Sequence, residues 1–269
     1  MIASALYRRP ELLDAQQHRH RRLNELTDWS IAREIHAMFL AATEFTQAAL
    51  DYPIVFVQSG DKDTKGRAVV SPVVLLGLQP GENLYVDGSK WNARYLPAFV
   101  RRYPFFSAPV QGLDRPGVFI DAAWSGFSET EGVPLFEADN APTPALRNAI
   151  DFLERFEAES ERTRMFCERL LDLGVLKDMR ADVQLLGGRQ IAVEGFQAID
   201  EDKLQNLPDK LVVELHRKGL LMLMQVHLLS LANLRHLVQK KTDRILAEDP
   251  SQAQAAPVPA ANDAPPSVA

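Results

Sequence analysis

The sequence has a single cysteine among 269 residues, Cys167, so no intramolecular disulfide can form and nothing points to an oxidising compartment. It has no excess of positive charge. The formal net charge is −6 and the isoelectric point about 5.6, which excludes a generic binder of the phosphate backbone and leaves nucleic acid out of the expected partners. Neither a GxxxxGK[ST] phosphate loop nor a strand-borne GxGxxG is present, so nothing calls for a nucleotide, and no cofactor is expected. The six histidines include no HExxH pair, and no metal site is expected. Long apolar runs are missing too. The longest, Gly219 to Leu234, is shorter than the roughly 20 residues of a membrane span and contains Gln225, His227, Ser230 and Asn233, so it reads as a buried helix rather than a transmembrane segment. At the N-terminus, Arg8 and Arg9 arrive before any apolar stretch long enough for a signal peptide, and the expected location is cytoplasmic.

Hydrophobic residues make up 46% and charged residues 25%, the composition of a globular chain able to build a core without covalent staples. The expected class is α+β: a mostly antiparallel sheet of short hairpin-connected strands, packed against several helices, with a long C-terminal helix. Residues 1–249 form one expected domain. From Pro250 to Ala269 the chain turns to seven alanines and five prolines with no aromatic residue, a composition that predicts a disordered tail.

Between Leu12 and Leu50, apolar residues such as Leu23, Leu26, Ile31, Ile35 and Phe45 recur at helical spacing, which predicts one or two helices with Asp28 as an N-cap. The cluster His18-Arg19-His20-Arg21-Arg22 reads as a solvated helix face. Ile54 to Val57 and Val69 to Leu78 are strand candidates, with Asn83 to Val86 returning as a partner after the Pro80-Gly81 turn. Short turns between them require antiparallel pairing. Pro97 opens a short helix that Pro104 closes; Val118 to Asp121 and Val133 to Phe136 are further strands. A long helix is predicted from Thr143 to Leu173, ended by Gly174. A hairpin turning at Gly187-Gly188 and a helix from Asp209 to about Ala247 complete the pattern.

Asp61-x-Asp63-x-Lys65-Gly66 imitates the start of a calcium loop, but its fifth position is a cation and its twelfth is Pro72 where a bidentate glutamate belongs, so it reads as a hairpin loop. Cys167 falls on the apolar stripe of its helix and reads as structural. His227 shares a helical face with Met224, Ser230 and Leu231, which makes it either a buried, hydrogen-bonded imidazole or a ligand contact at a pocket rim. The stretch Trp91 to Phe105 is dense in aromatics, arginine and proline. It can build an anion or aromatic-ligand site, or it can cap the core.

The chain resembles the bacterial SapC family. The resemblance is carried by Tyr52-Pro53-Ile54-Val55-Phe56-Val57, Leu75-Leu76-Gly77-Leu78 with Pro80-Gly81-Glu82-Asn83-Leu84, Trp91 with Tyr95-x-Pro97-Ala98, and Arg101-Arg102-Tyr103-Pro104-Phe105. Ile120-Asp121, Gly132-x-Pro134-Leu135-Phe136, Gly195-Phe196 before Asp200-Glu201-x-Lys203-Leu204, and His227-Leu228-x-Ser230-Leu231 continue it in order, over about residues 10 to 240. Where such proteins usually have an Asp-Gly hairpin, this chain has Gly187-Gly188, and both accept positive φ. The family takes its name from a gene associated with a bacterial surface layer, and the resemblance brings no catalytic residue or cofactor with it.

Trp91, Tyr95, Arg101, Arg102, Asp121, His227 and Ser230 within the matching motifs form the candidate ligand-binding set, apolar walls with a few directional polar groups. Two function classes follow. One is a non-catalytic ligand- or protein-binding accessory factor, linked through the resemblance to cell-envelope or surface-layer assembly, with an unknown protein or small-molecule partner. The other is an enzyme of unknown reaction using a pocket with Arg101, Asp121 and His227. The composition of the tail generates one expectation by itself: a chain ending at Asp249 should melt at the same temperature as the full chain in a thermal scan, whereas a drop of several degrees would mean that the tail docks.

Overall fold

The structure, a computed structural model, describes residues 6–112, 114–185 and 190–251. In its first part β1 (Pro10–Leu12), β2 (Arg22–Leu23) and β3 (Ala37–Phe39) alternate with single 3-10 turns at Trp29–Ala32 and Ala42–Glu44, before α1 (Phe45–Ala48), β4 (Ile54–Lys62) and β5 (Ala68–Leu75). Two small strands, β6 (Val86–Asp87) and β7 (Lys90–Trp91), lead to α2 (Ala98–Arg101), then β8 (Phe105–Ala108), β9 (Gly117–Asp121), β10 (Phe127–Ser128) and β11 (Val133–Pro134). After α3 (Pro144–Leu173) come β12 (Leu176–Gln184), β13 (Gln190–Ile199), α4 (Glu201–Gln205), α5 (Asp209–Arg217), α6 (Leu220–Ser230) and α7 (Asn233–Glu248). The Gly187-Gly188 turn and residues 252–269 of the tail lie outside the described residues.

The expected α+β architecture is present, and each described strand pairing is antiparallel. The main sheet has the order β12-β13-β4-β5-β3. Its centre is the β-branched and aromatic run Ile54-Val55-Phe56, fully buried, with Ile54 opposite Val74 and Val55 opposite Val73. Phe56 meets Phe166 of α3 at 6.4 Å and His227 of α6 at 4.8 Å between ring centroids, so one side chain ties both helices to the sheet. A second sheet, β1-β9-β8, carries a smaller core of Phe105, Ile120, Leu135, Phe136, Leu146 and Leu153.

Helix α3 spans the two cores. At about 1.5 Å per residue, its first turns place Leu146 and Leu153 in the smaller cluster, and from Phe156 onward it places Phe156, Phe166, Cys167 and Leu170 in the larger. Its ends are those expected. Thr143 accepts the Leu146 N–H at 3.3 Å, Pro144 takes the first turn, and Gly174 closes the helix at φ 65°, in the left-handed region. Burial holds the Cys167 thiol up at about 12, as suits a structural cysteine.

Several expectations change. The N-terminal segment forms no helix longer than the single turn α1: Ala37–Phe39 is recruited as the sheet edge beside β5, and pairing there overrides local periodicity. His18 is buried in a turn, its Nδ1 accepting the Asp14 N–H at 3.0 Å, instead of lying on a solvated face. Asp28 does cap, but it caps a 3-10 turn through the Ser30 N–H at 2.9 Å. Asn83 to Val86 does not return beside β5; Asn83 is buried with its amide donating to the Ala32 carbonyl, and Val86 pairs with Trp91. The helix expected from Asp209 is broken at Gly219, whose φ of 72° ends α5, leaving the long C-terminal helical run at Leu220–Glu248 with a tightened joint at Leu231–Ala232. At the calcium-like loop the Asp63 carboxylate is bound by the Lys65 and Arg67 N–H groups and the Arg67 guanidinium, an ordinary hairpin.

The Thr143 hydroxyl also donates to the Pro134 carbonyl at 2.8 Å, linking the α3 start to β11. Thr143→Ala should therefore lower stability by about 1–2 kcal/mol, the loss of a cap together with one buried carbonyl partner. The urea midpoint reads this directly, and an unchanged midpoint would remove the cap from the account.

Candidate functional site

The one-turn helix α2 is fixed by a carboxylate distant in sequence. Glu44, itself buried, accepts the Ala98 N–H and the Tyr95 hydroxyl on Oε1, both at 2.7 Å, and the Ala41 N–H on Oε2 at 3.0 Å. A negative group at a helix start meets donors that have no partner within the helix. Trp91 reinforces the arrangement. Its indole N–H donates to the Tyr52 hydroxyl at 2.7 Å, and Tyr52 donates in turn to the Tyr95 carbonyl. Burial holds the Tyr52 and Tyr95 phenols above the ordinary range, and Glu44 adds to the effect at Tyr95.

With its start clamped, α2 delivers Arg101 and Arg102 in adjacent positions. The Arg101 guanidinium lies 5.6 Å from the Tyr95 ring centroid and 5.5 Å from that of Phe152, and donates to the Tyr95 hydroxyl at 3.2 Å. Arg102 lies 4.3 Å from the Phe99 ring and 4.7 Å from that of Phe156, with a buried Nε that has no hydrogen-bond partner. Among the described residues neither arginine has a carboxylate within ion-pair distance. The nearby Arg102 charge opposes burial at Tyr7, whose phenol is still pushed up to about 12.

Two open depressions flank Arg101 and Phe152. One, of about 330 Å³, is bordered by Glu44, Tyr95, Arg155 and Glu159. The other, of about 250 Å³, is walled by Arg102, Tyr103, Phe105 and Trp124. Trp124 packs edge-on to Tyr103 and Phe127, folded back over Gly126, where a Cβ would stand 2.1 Å from its ring. Only glycine permits that approach.

The remaining candidates line neither depression, although Asp121 lies behind Tyr103 of the second. Asp121 is fully buried and accepts four donors: the N–H groups of Arg8, Arg9 and Ala123 and the Tyr103 hydroxyl. Burial alone would raise its carboxyl, but these donors outweigh it and hold the group below the usual carboxylate range. His227 and Ser230 sit where α6 meets the sheet. His227 Nε2 accepts the Ile199 N–H at 3.1 Å; Ser230 Oγ accepts the Ile54 N–H at 3.0 Å and donates to the His227 carbonyl at 2.6 Å. Of the seven candidates, the structure thus gathers Trp91, Tyr95, Arg101 and Arg102 around α2. Asp121 and the pair His227 and Ser230 line neither depression.

The SapC family model matches residues 13–237, a span that includes α2, both depressions and the His227 contact. The chain belongs to the SapC family. Neither a curated protein nor a solved structure matches it. In this SapC-family chain sequence reasoning missed Glu44, Trp124 and Phe152 as site residues. Phe152 lies among the apolar residues of α3, where core packing is the ordinary expectation, and nothing in the pattern around Glu44 announces that it will cap a helix more than fifty residues away.

Burial pushes the His227 imidazole down to about 3, against a smaller opposing influence of the Ile54 backbone. A folded-state value below the unfolded one, near 6.5, means that the unfolded chain binds the extra proton first. The contribution of neutral His227 is complete above about pH 6.5 and is lost as pH falls through the window down to about 3, by up to about 1.4 kcal/mol per pH unit. His227→Gln retains an acceptor but does not titrate, so its stability should fall less steeply than wild type between pH 6.5 and 4 in urea titrations; parallel curves would contradict the assignment.

Proposed function

We propose that this SapC-family protein is a non-catalytic, cytoplasmic accessory factor that binds a ligand or peptide by an anionic group next to an apolar one, at Arg101 and Arg102. The observation carrying this reading is the pair of guanidiniums that stand among aromatic rings without a carboxylate in ion-pair distance, one with an orphaned buried Nε. An unpaired buried donor costs about 1–3 kcal/mol, and a carboxylate or phosphate oxygen is the partner that the planar guanidinium fork accepts best. Trp124, Tyr103 and Phe152 supply the apolar wall. A role in cell-envelope or surface-layer assembly is supported by the family name.

The alternative, an enzyme using Arg101, Asp121 and His227, needs those groups to converge on one reacting atom. Asp121 is taken up by three backbone N–H groups and the Tyr103 hydroxyl, His227 Nε2 by the Ile199 N–H with its Nδ1 buried and unpartnered, and neither side chain lines a depression, which favours the binding reading. Phenyl phosphate, an aromatic anion, serves as a probe. Calorimetric titration should show saturable binding that weakens about tenfold or more in Arg101→Gln/Arg102→Gln, the loss of charge-assisted bonds. Equal affinities for wild type and variant would overturn the site.

A further inference from the structure

The helix α6, LLMLMQVHLLS, contains no charged residue, yet only one side of it is covered. Met224, His227 and Ser230 face the protein; on the opposite side Met222 is 56% exposed and Leu229 75% exposed, two turns apart with the exposed, uncharged Gln225 between them. This crest is the inverse of an ordinary surface helix, which turns its polar side to water. Its flanks are cationic. Arg217 and Lys218 precede it and Arg235 follows it; Lys218 is paired with Glu214, whereas among the described residues neither Arg217 nor Arg235 has an acidic partner. Between residues 209 and 244 the chain has seven Lys and Arg against three Asp and Glu, a net of +4 in a protein whose formal total is −6.

We infer that α6 and its cationic flanks form a docking surface for an anionic lipid bilayer, with the helix lying in the plane of the interface. Apolar side chains bracketed by Lys and Arg are what the boundary between anionic headgroups and acyl chains takes up. By length and composition Leu220–Glu248 could cross a membrane. It is held instead against the protein: His227, Ser230 and Asn233 bond to β13, β4 and the segment before β4, and Arg244 donates to the Asn83 and Val86 carbonyls. A second copy of the chain fits the crest less well. A strip one helix wide and three turns long offers on the order of 200 Å², far below the roughly 800 Å² per partner of a stable dimer. A bilayer needs no matching shape. The inference is independent of the anion site at Arg101 and Arg102.

Flotation of the full chain with vesicles of phosphatidylcholine, with and without about one third phosphatidylglycerol, tests it. The protein should float with the anionic vesicles and remain behind with the neutral ones. Met222→Ser/Leu229→Ser and, separately, Arg217→Gln/Arg235→Gln should each reduce partitioning about tenfold, while Met165→Ser, which alters an exposed methionine on α3, should not. Circular dichroism of each variant establishes that it is folded. Failure of the wild type to float, or equal flotation by folded crest variants, overturns the inference. So does a wild-type dimer in sedimentation equilibrium that Leu229→Ser dissociates, since the crest would then belong to a second copy.

Discussion

The seam of His227, Ser230 and Asn233 on the inward side of the C-terminal helical run is the constraint on which the main sheet depends. Two strands that are distant in sequence end beneath it with backbone donors that no neighbouring strand satisfies. His227 takes the Ile199 N–H at the end of β13 and Ser230 takes the Ile54 N–H at the start of β4, while Asn233 donates to the Ala49 and Tyr52 carbonyls in the turn before β4. Buried backbone groups without partners are expensive, so these three side chains decide where α6 can dock and at what rotation. The apolar residues around them supply most of the burial. They could pack at several rotations; the polar contacts select one.

The same logic places the candidate site. Glu44, at the end of a 3-10 turn, bonds to the start of α2 and to the Tyr95 hydroxyl, and the Trp91–Tyr52 pair holds the Tyr95 carbonyl. The arginines at the other end of α2 are therefore presented by a preorganised scaffold, with Phe152 and Phe156 of α3 beneath them. Because α3 also carries the smaller core, the site stands where the two hydrophobic clusters meet. Preorganisation of this kind reduces the ordering cost of binding.

What could be read from the sequence divides along a physical line. The long helix was legible because its cap, its proline and its terminal glycine are local signals, and so were β4 and β5, because a β-branched run broken by a hairpin loop has few other readings. The segment before Leu50 was not. Its apolar residues face several neighbours at once, so a spacing that imitates a helix arises from burial against β5 and the turns around it. The same holds for the site: the arginines and aromatics of the α2 segment stood out by composition, whereas Glu44 depends on a contact that only the assembled chain creates. His227 was readable as buried, but its acceptor role toward a strand end was not.

The pairing of Ile54 with Ser230 spans 176 residues. At about 5–20 residues per second of synthesis, the ribosome needs roughly ten to thirty-five seconds to deliver the second after the first. For most of that interval, until β13 (Gln190–Ile199) is made, β4 and β5 can form their hairpin while the other edge of β4 has no partner. An unpaired edge of buried β-branched residues is a template for association with other nascent chains. The architecture that gives the finished protein its central strand thus leaves the growing polypeptide with an open sheet edge until β13 emerges.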